Sequence, residues 1–460
     1  MFKGYRIRKY HSKILLILLS VVHLIVGIVL GLLYYFLFYE KLELVLSLVI
    51  LVGGLFLFEI AFFVLWRRSK MNGSFLTSLK HMDYLGKMVM NNRMYVSKKV
   101  TATNGRAKEK IVYFPKIYYR RKNGYITVRF PTDLQANQER FLKIGANLEH
   151  AFFGDMVAIV NEQDYIRYKL LYSPKHARLN VEKISLSEGQ VPLMKEYNWN
   201  YIKFPHALIS GVTGGGKSFF MMYLLKVFVA LGFKCEICDF KMADMSYFQT
   251  IPSFNGHVFD TKNGIDMCIR KFREDMEERK VELKELSGGQ SGLDYRDFKM
   301  TPRVLFFDEY VAYLSSLDFK EQNKIMENLK QIILLGRQLG FYLVMGMQRP
   351  DAKFLPDGMR DQFGLRVTLG KMQPQGYAMV FGDSDKAYKD QGEEVKAWGY
   401  AYSGGSYVRQ LFAPLVPKGY DFVQEVATLL GESTSASETE SQAVDVADVD
   451  SPAINTEAND

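Results

Sequence analysis

Two long apolar runs open the chain and set its patterning. Ile14–Phe38 contains no Asp, Glu, Lys or Arg, and at 1.5 Å per residue it exceeds the roughly 20 residues needed to cross about 30 Å of hydrocarbon. Leu44–Trp66, after the short polar break Tyr39–Glu43, is interrupted only by Glu59. The pattern predicts a transmembrane helical hairpin over 14–66. Lys3, Arg6, Arg8, Lys9 and Lys13 form a basic segment (1–13) before it, and Arg67, Arg68 and Lys70 follow it. That distribution predicts a multi-pass protein of the cell membrane with both termini in the cytoplasm. The first run is too long for a cleaved signal peptide and lacks a small-residue cleavage site. Glu59 reads as a carboxylate that reaches the interface or is protonated.

Beyond the hairpin the period changes. Over 71–204, Ile111–Tyr119, Tyr125–Phe130 and Tyr165–Tyr172 alternate as strands do, while Gln135–His150 carries helical spacing through Phe141, Leu142, Ile144 and Leu148. Lys122-Asn123-Gly124 supplies a hairpin turn. This stretch predicts a small α+β domain. Over 205–430 short apolar runs (Ala207–Ser210, Lys234–Asp239, Arg303–Phe307, Phe341–Gly346) alternate with helical segments. Such alternation predicts a parallel sheet with helices on both faces. The last segment, 431–460, is rich in Ser, Thr, Ala and acids and has no aromatic residue, so it is expected to be disordered.

Charge sharpens this division. The net charge is +9, yet no Lys or Arg follows Lys418 and eight acids lie between Glu432 and Asp460, so the body before the tail carries about +17. A body of that sign suits a polyanionic partner or an anionic leaflet. Cys235, Cys238 and Cys268 are too few for a disulfide framework and fit a reducing compartment. The C-x-x-C of the first two lies in a continuous strand pattern and lacks a second ligand pair, which argues against a zinc site.

The chemistry is concentrated between the strand-like runs. Gly211-Val212-Thr213-Gly214-Gly215-Gly216-Lys217-Ser218 matches G-x-x-x-x-G-K-[ST] in full, directly after Ala207–Ser210 and before the apolar helical run Phe219–Ala230. Glycines let successive N–H groups turn inward on phosphates at a helix N-terminus. Lys217 is then expected on the β- and γ-phosphates of ATP, and Ser218 on Mg²⁺. A second motif, Val304-Leu305-Phe306-Phe307-Asp308-Glu309, is a buried strand ending in two acids at the edge where parallel sheets bind ligands. Asp308 is expected to hold Mg²⁺ and Glu309 to orient and polarise the attacking water. Gln348, after Phe341–Gly346, is placed to sense the γ-phosphate. A cation over the transition state is expected from Arg337, Arg360 or Arg366, with Arg366 favoured because it opens the apolar run Val367–Leu369. The predicted fold class is an α/β P-loop NTPase with a RecA-like parallel sheet, preceded by the hairpin and the small α+β domain.

These blocks, with Asp239-Phe240-Lys241-Met242, Tyr247, Ile251-Pro252, Arg337, Gly340-Phe341 and Gln348-Arg349-Pro350, stand in the order found in the FtsK/SpoIIIE family of DNA translocases, which the chain resembles. The family's Asp-Pro-Lys stands here as Asp239-Phe240-Lys241. Asp308-Glu309-Tyr310 and Met347-Gln348-Arg349-Pro350-Asp351, with the apolar hairpin and the Tyr-rich middle domain, look most similar to FtsK-type coupling proteins of Gram-positive conjugative transposons. The resemblance implies an ATP-driven motor that moves DNA without sequence preference, a homo-hexamer around its cargo, and a relaxase and conjugation channel proteins as partners. It offers two other roles, chromosome segregation and protein secretion. The first would call for a multi-span region, a long linker and a terminal winged helix, which the pattern lacks. The second usually carries several ATPase modules in tandem, and this chain has one P-loop.

Overall fold

In the computed structural model the described residues are 4–38, 75–101, 107–133, 137–349 and most of 354–432, with isolated positions between 49 and 60. They divide into two compact units, Met1–His176 and Ala177–Asp460. The expected tail from residue 433 on, the greater part of Leu44–Trp66 and Glu59 lie outside the described residues.

The first unit is built on antiparallel pairing. Its five-stranded sheet runs β1 (Tyr5–Arg6), β4 (Tyr118–Lys122), β5 (Tyr125–Pro131), β7 (Tyr165–Leu171), β6 (Asp155–Glu162). A separate pair joins β2 (Val96–Thr101) to β3 (Ala107–Tyr113). Asn123 and Gly124 both have positive φ, 52° and 82°, and close the β4–β5 hairpin with Lys122 opposite Tyr125. The run Ile111–Tyr119 is not one strand. It breaks between Tyr113 and Tyr118 around Pro115, which has no N–H to give a ladder.

Helix α1 spans Ile14–Phe38 and α2 spans Phe75–Asn91. Leu79, Met82, Leu85 and Val89, at helical spacing on α2, pack with Tyr119, Ile126, Val128 and Phe130 from alternate positions of β4 and β5. Gln135–His150 resolves into two helices, α3 (Gln138–Leu142) and α4 (Gly145–Phe152). The Tyr168 hydroxyl donates to the Phe141 and Leu142 carbonyls at 2.7 and 2.8 Å, satisfying the end of α3.

Among the described residues no helix is long and apolar enough to cross a membrane. The expectation of a hairpin-anchored, multi-pass protein of the cell membrane is corrected by that finding. The first turns of α1 pack Ile14, Leu15 and Leu18 onto the core of the first unit.

The second unit holds one eight-stranded sheet and a small hairpin, β8 (Gln190–Met194) with β9 (Tyr197–Asn200). The sheet order is β12 (Val258–Phe259), β11 (Lys234–Asp239), β13 (Arg303–Asp308), β14 (Phe341–Met347), β10 (Ala207–Gly211), β15 (Leu365–Leu369), β16 (Trp398–Tyr402), β17 (Arg409–Phe412). Strands β10 to β15 pair in parallel, and β16 and β17 add an antiparallel edge. The four strands expected in this stretch are present in the sheet; β12 and the antiparallel pair are additions. Strands β10, β14 and β15 are buried along their whole length, as runs covered on both faces must be.

Helices α5 (Lys217–Ala230), α6 (Lys262–Leu286), α7 (Tyr310–Ser315), α8 (Phe319–Leu339), α9 (Pro374–Phe381) and α10 (Phe422–Leu430) surround the sheet strands in sequence. Local chemistry sets their ends. Asp318 caps α8 by accepting the Glu321 N–H at 2.8 Å, Glu321 returns the bond to the Asp318 N–H at 3.0 Å, and Gly340 ends it at φ 74°. Phe272, Ile332, Leu343 and Phe307 share the core between α6, α8 and the sheet.

Candidate functional site

Strand order brings the separate motifs to one edge. β10 ends at Gly211 and lies between β14 and β15, while β13 ends at Asp308 on the far side of β14. All these strands are parallel, so their carboxyl ends open on the same crevice. The intervening β14 runs out at Met347, next to Gln348. Ser210 Oγ donates to the Gln348 carbonyl at 3.1 Å, which ties the end of the P-loop strand to the turn that carries Gln348. Gln348 and Arg349 are both exposed.

The loop Gly211–Gly216 turns tightly. The Gly215 N–H donates to the Val212 carbonyl at 2.8 Å, and the Val212 N–H to Leu369 at 3.1 Å. Gly216 caps α5 at φ 96°, in the left-handed region open to glycine at little cost. Val212, Thr213 and Gly214 are exposed, Ser218 is half-buried, and Lys217 is 8% exposed. Helix α5, starting at Lys217, directs its N-terminal N–H groups to the loop, the arrangement that favours anions.

Lys217 leans across to the acids. Its ammonium pairs with Asp308 Oδ1 and lies 3.2 Å from Glu309 Oε1. Asp308 is 2% exposed and also accepts the Glu309 N–H at 2.8 Å. Gly346 on β14 leaves this carboxylate its room, since a Cβ there would stand 2.5 Å from Asp308 Oδ1 and in contact with Met221 Sδ. Glu309 sits at φ 54°, ψ 39°, left-handed backbone that is uncommon outside glycine. Burial alone would push its carboxyl up, but the Lys217 charge and the Lys241 hydrogen bond outweigh burial and hold it below the ordinary glutamate range.

Asp239, at the end of β11, faces Asp308 in register. Burial and the Asp308 charge raise its carboxyl above the usual range, against N–H groups of the following turn that favour the anion. Cys235 and Cys238 lie on this strand, and burial pushes both thiols well up.

Of the three candidate arginines, Arg337 is exposed, Arg360 is half-buried and Arg366 is 9% exposed. Arg366, expected to serve a neighbouring copy, is packed inside its own chain. Its guanidinium lies 4.5 Å over the Tyr402 ring and 3.4 Å from both Asp361 Oδ1 and the Val380 carbonyl.

Two parts of the site were not read from the sequence. One is a cavity of about 740 Å³ beside the P-loop, lined by Gly214, Gly216, Phe219 and Tyr223 on one side and by Arg178 and Lys418 on the other. Lys226 of α5 ties down that wall through Glu425 at 3.1 Å and the Tyr420 hydroxyl at 2.5 Å. Its members are scattered over the sequence, with no spacing to connect them. The other is Lys241, whose ammonium is 3.0 Å from Glu309 Oε2. The residue stands in a motif quoted for the resemblance, but nothing in its spacing points to Glu309.

No protein-family model matches the chain. It is 41% identical over 355 residues to the Ftsk domain-containing protein YdcQ of Bacillus subtilis (strain 168), covering 76% of this chain and 73% of that protein. It is 22% identical over 201 residues to the DNA translocase FtsK of Listeria monocytogenes serovar 1/2a, covering 41% of this chain and 26% of the relative. Among solved structures it is similar to the monomer form of the pCW3 conjugation coupling protein TcpA with ATPgS, at a TM-score of 0.46 and 16% identity over 72% of this chain and 95% of that one. On its likeness to the Bacillus subtilis protein, the chain belongs to the FtsK-domain family of ATP-hydrolysing P-loop enzymes.

Proposed function

We propose that the chain is an ATP-driven DNA translocase, working as a homo-hexameric coupling ATPase that delivers DNA from a relaxase to the channel of a conjugative element. The observation that carries the catalytic part is the convergence of Lys217, Asp308 and Glu309 at the carboxyl ends of β10 and β13. The polynucleotide part is supported by relatives that bear the name DNA translocase and by the basic body. The chain spans about a quarter of the length of the Listeria and Bacillus translocases, 26% and 23%, so their whole activity is carried over as a proposal. The conjugative role rests on Asp308-Glu309-Tyr310 and on the turn at Gln348-Arg349.

The residues fit ATP and Mg²⁺. Gly211, Val212, Thr213, Gly214, Gly215, Gly216, Lys217 and Ser218 surround the phosphates, and the cavity beside Phe219 and Arg178 takes the nucleoside. Ser218 and Asp308 would hold Mg²⁺, and Gly346 lets the Asp308 carboxylate keep its place, since a side chain there would collide with it. Held there, the ion would neutralise charge developing on the phosphate oxygens. Lys217 exchanges its carboxylate partners for β- and γ-phosphate oxygens and so frees Glu309 Oε1. Glu309 accepts the proton of the attacking water as the water oxygen bonds to the γ-phosphorus and the bond to the β–γ bridging oxygen breaks. Gln348 stands at the end of β14 to register that change. An arginine acting across a subunit boundary completes the charge balance. Arg366 would do so only after leaving Asp361 and Tyr402.

Sequence-independent grip follows from Lys and Arg meeting phosphates, a contact that releases counterions and weakens with salt. The test is whether ATP turnover by the full chain rises with duplex or single-stranded DNA and is lost in Lys217→Ala.

A further inference from the structure

Both oxygens of Glu309 carry an ammonium partner, and the two partners come from different strands. Lys217, after β10, lies 3.2 Å from Oε1, and Lys241, after β11, lies 3.0 Å from Oε2. The turn that presents Lys241 is held in place. The Asp239 carboxylate accepts the N–H groups of Ala243 at 2.8 Å and Ser246 at 3.1 Å, and the Phe240 ring packs edge-on against Tyr313 of α7 at 5.5 Å. Helix α7 begins at Tyr310, directly after Glu309, so the turn and the acid are braced against one another.

We propose that Lys241 is a positioning residue for ATP hydrolysis, holding Oε2 of Glu309 so that Oε1 is the oxygen turned toward the phosphates. The inference rests on the reading of Glu309 as the base that receives the water proton. A carboxylate rotates easily about its last bond, so one fixed oxygen decides where the other points. Once Lys217 moves to phosphate oxygens, Oε1 is released to the water while Oε2 stays on Lys241. Lys241 touches neither substrate nor reacting atoms in this scheme. Its side chain is 46% exposed, so the pair contributes little to stability and its truncation reads geometry at Glu309 instead of folding.

The experiment is a double-mutant cycle on the full chain with Lys241→Ala, Lys241→Arg, Glu309→Gln and Lys241→Ala/Glu309→Gln, reading kcat, KM and the affinity for ATPγS. Lys241→Ala is expected to lower kcat about tenfold, a share of the roughly 10²–10⁴-fold that a placed base supplies. KM and ATPγS affinity should stay within about twofold, Lys241→Arg should recover most of kcat, and Lys241→Ala should have no further effect when Glu309 is already Gln. A kcat near wild type in Lys241→Ala, a loss confined to KM, or an equal loss in the Glu309→Gln background would overturn the proposal. Near-wild-type turnover in Glu309→Gln itself would instead remove the base, and the positioning role with it.

Discussion

The ammonium of Lys217 lies 3.2 Å from Glu309 Oε1 while hydrogen-bonded to Asp308, so one cation bridges both acids at the end of β13. In the proposed mechanism that link makes the lysine the residue on which phosphate binding and release of the base both depend.

Lys217→Ala and Glu309→Gln should therefore fail in different ways. Charge-assisted hydrogen bonds are each worth about 1.5–3 kcal/mol, so Lys217→Ala should weaken ATPγS binding by roughly 100-fold or more. It also leaves the buried Asp308 carboxylate without its ammonium partner, so the melting temperature should fall. Glu309→Gln keeps the phosphate contacts and should bind ATPγS as the wild type does while hydrolysis slows by about 10²–10³-fold. Fluorescence titration with an ATP analogue and a phosphate-release assay separate the two.

The buried core offers a pH signature. His206 is fully buried, receives the Leu343 N–H on Nδ1 at 3.1 Å and donates Nε2–H to the Ile333 carbonyl at 3.0 Å. Burial lowers its pKa from 6.5 to about 4. The unfolded chain then takes up this proton before the folded one does. Its contribution to stability is complete above pH 6.5 and is lost as pH falls from there toward about 4, at up to about 1.4 kcal/mol per pH unit. Urea unfolding between pH 7 and 5 should show the loss, and His206→Gln should be less stable at pH 7 but flatter with pH.

How much of this was legible depended on whether the signal was local. The P-loop and the acids at 308 and 309 were readable because each lies in a short unit of apolar strand, special residue and helix whose chemistry is complete within about ten residues. The strands Lys234–Asp239 and Phe341–Gly346 were readable as short strand-like runs between helical segments. Trp398–Tyr402 and Arg409–Phe412 were not, because the first takes its place in the sheet from β15, about thirty residues earlier in the chain, and the second from pairing with the first. The same holds for Lys241 against Glu309, which depends on β11 lying beside β13, an order no spacing records. Arg366 looked available from its place beside an apolar run, yet that place is a strand buried on both faces.

Arg366 is accordingly expected to behave as a core cation. Burial lowers its pKa, and its charge is met by Asp361, the Val380 carbonyl and the Tyr402 face. Arg366→Ala should destabilise the chain by about 2–4 kcal/mol, within the range for breaking a buried charged contact. Mixing Arg366→Ala with Lys217→Ala subunits should recover no ATPase beyond the sum of the two. Recovery above that sum would show the arginine working across a boundary.

The central claim, that hydrolysis at Lys217, Asp308 and Glu309 is coupled to DNA, is tested most directly by the ATP turnover of the full chain measured against DNA concentration at several salt concentrations. Turnover should rise with DNA of unrelated sequences alike, and the DNA concentration for half-stimulation should climb steeply with salt, with a log–log slope of about 0.9 per phosphate contacted on duplex. Turnover indifferent to DNA, or stimulation confined to one short sequence with a flat salt response, would contradict the account.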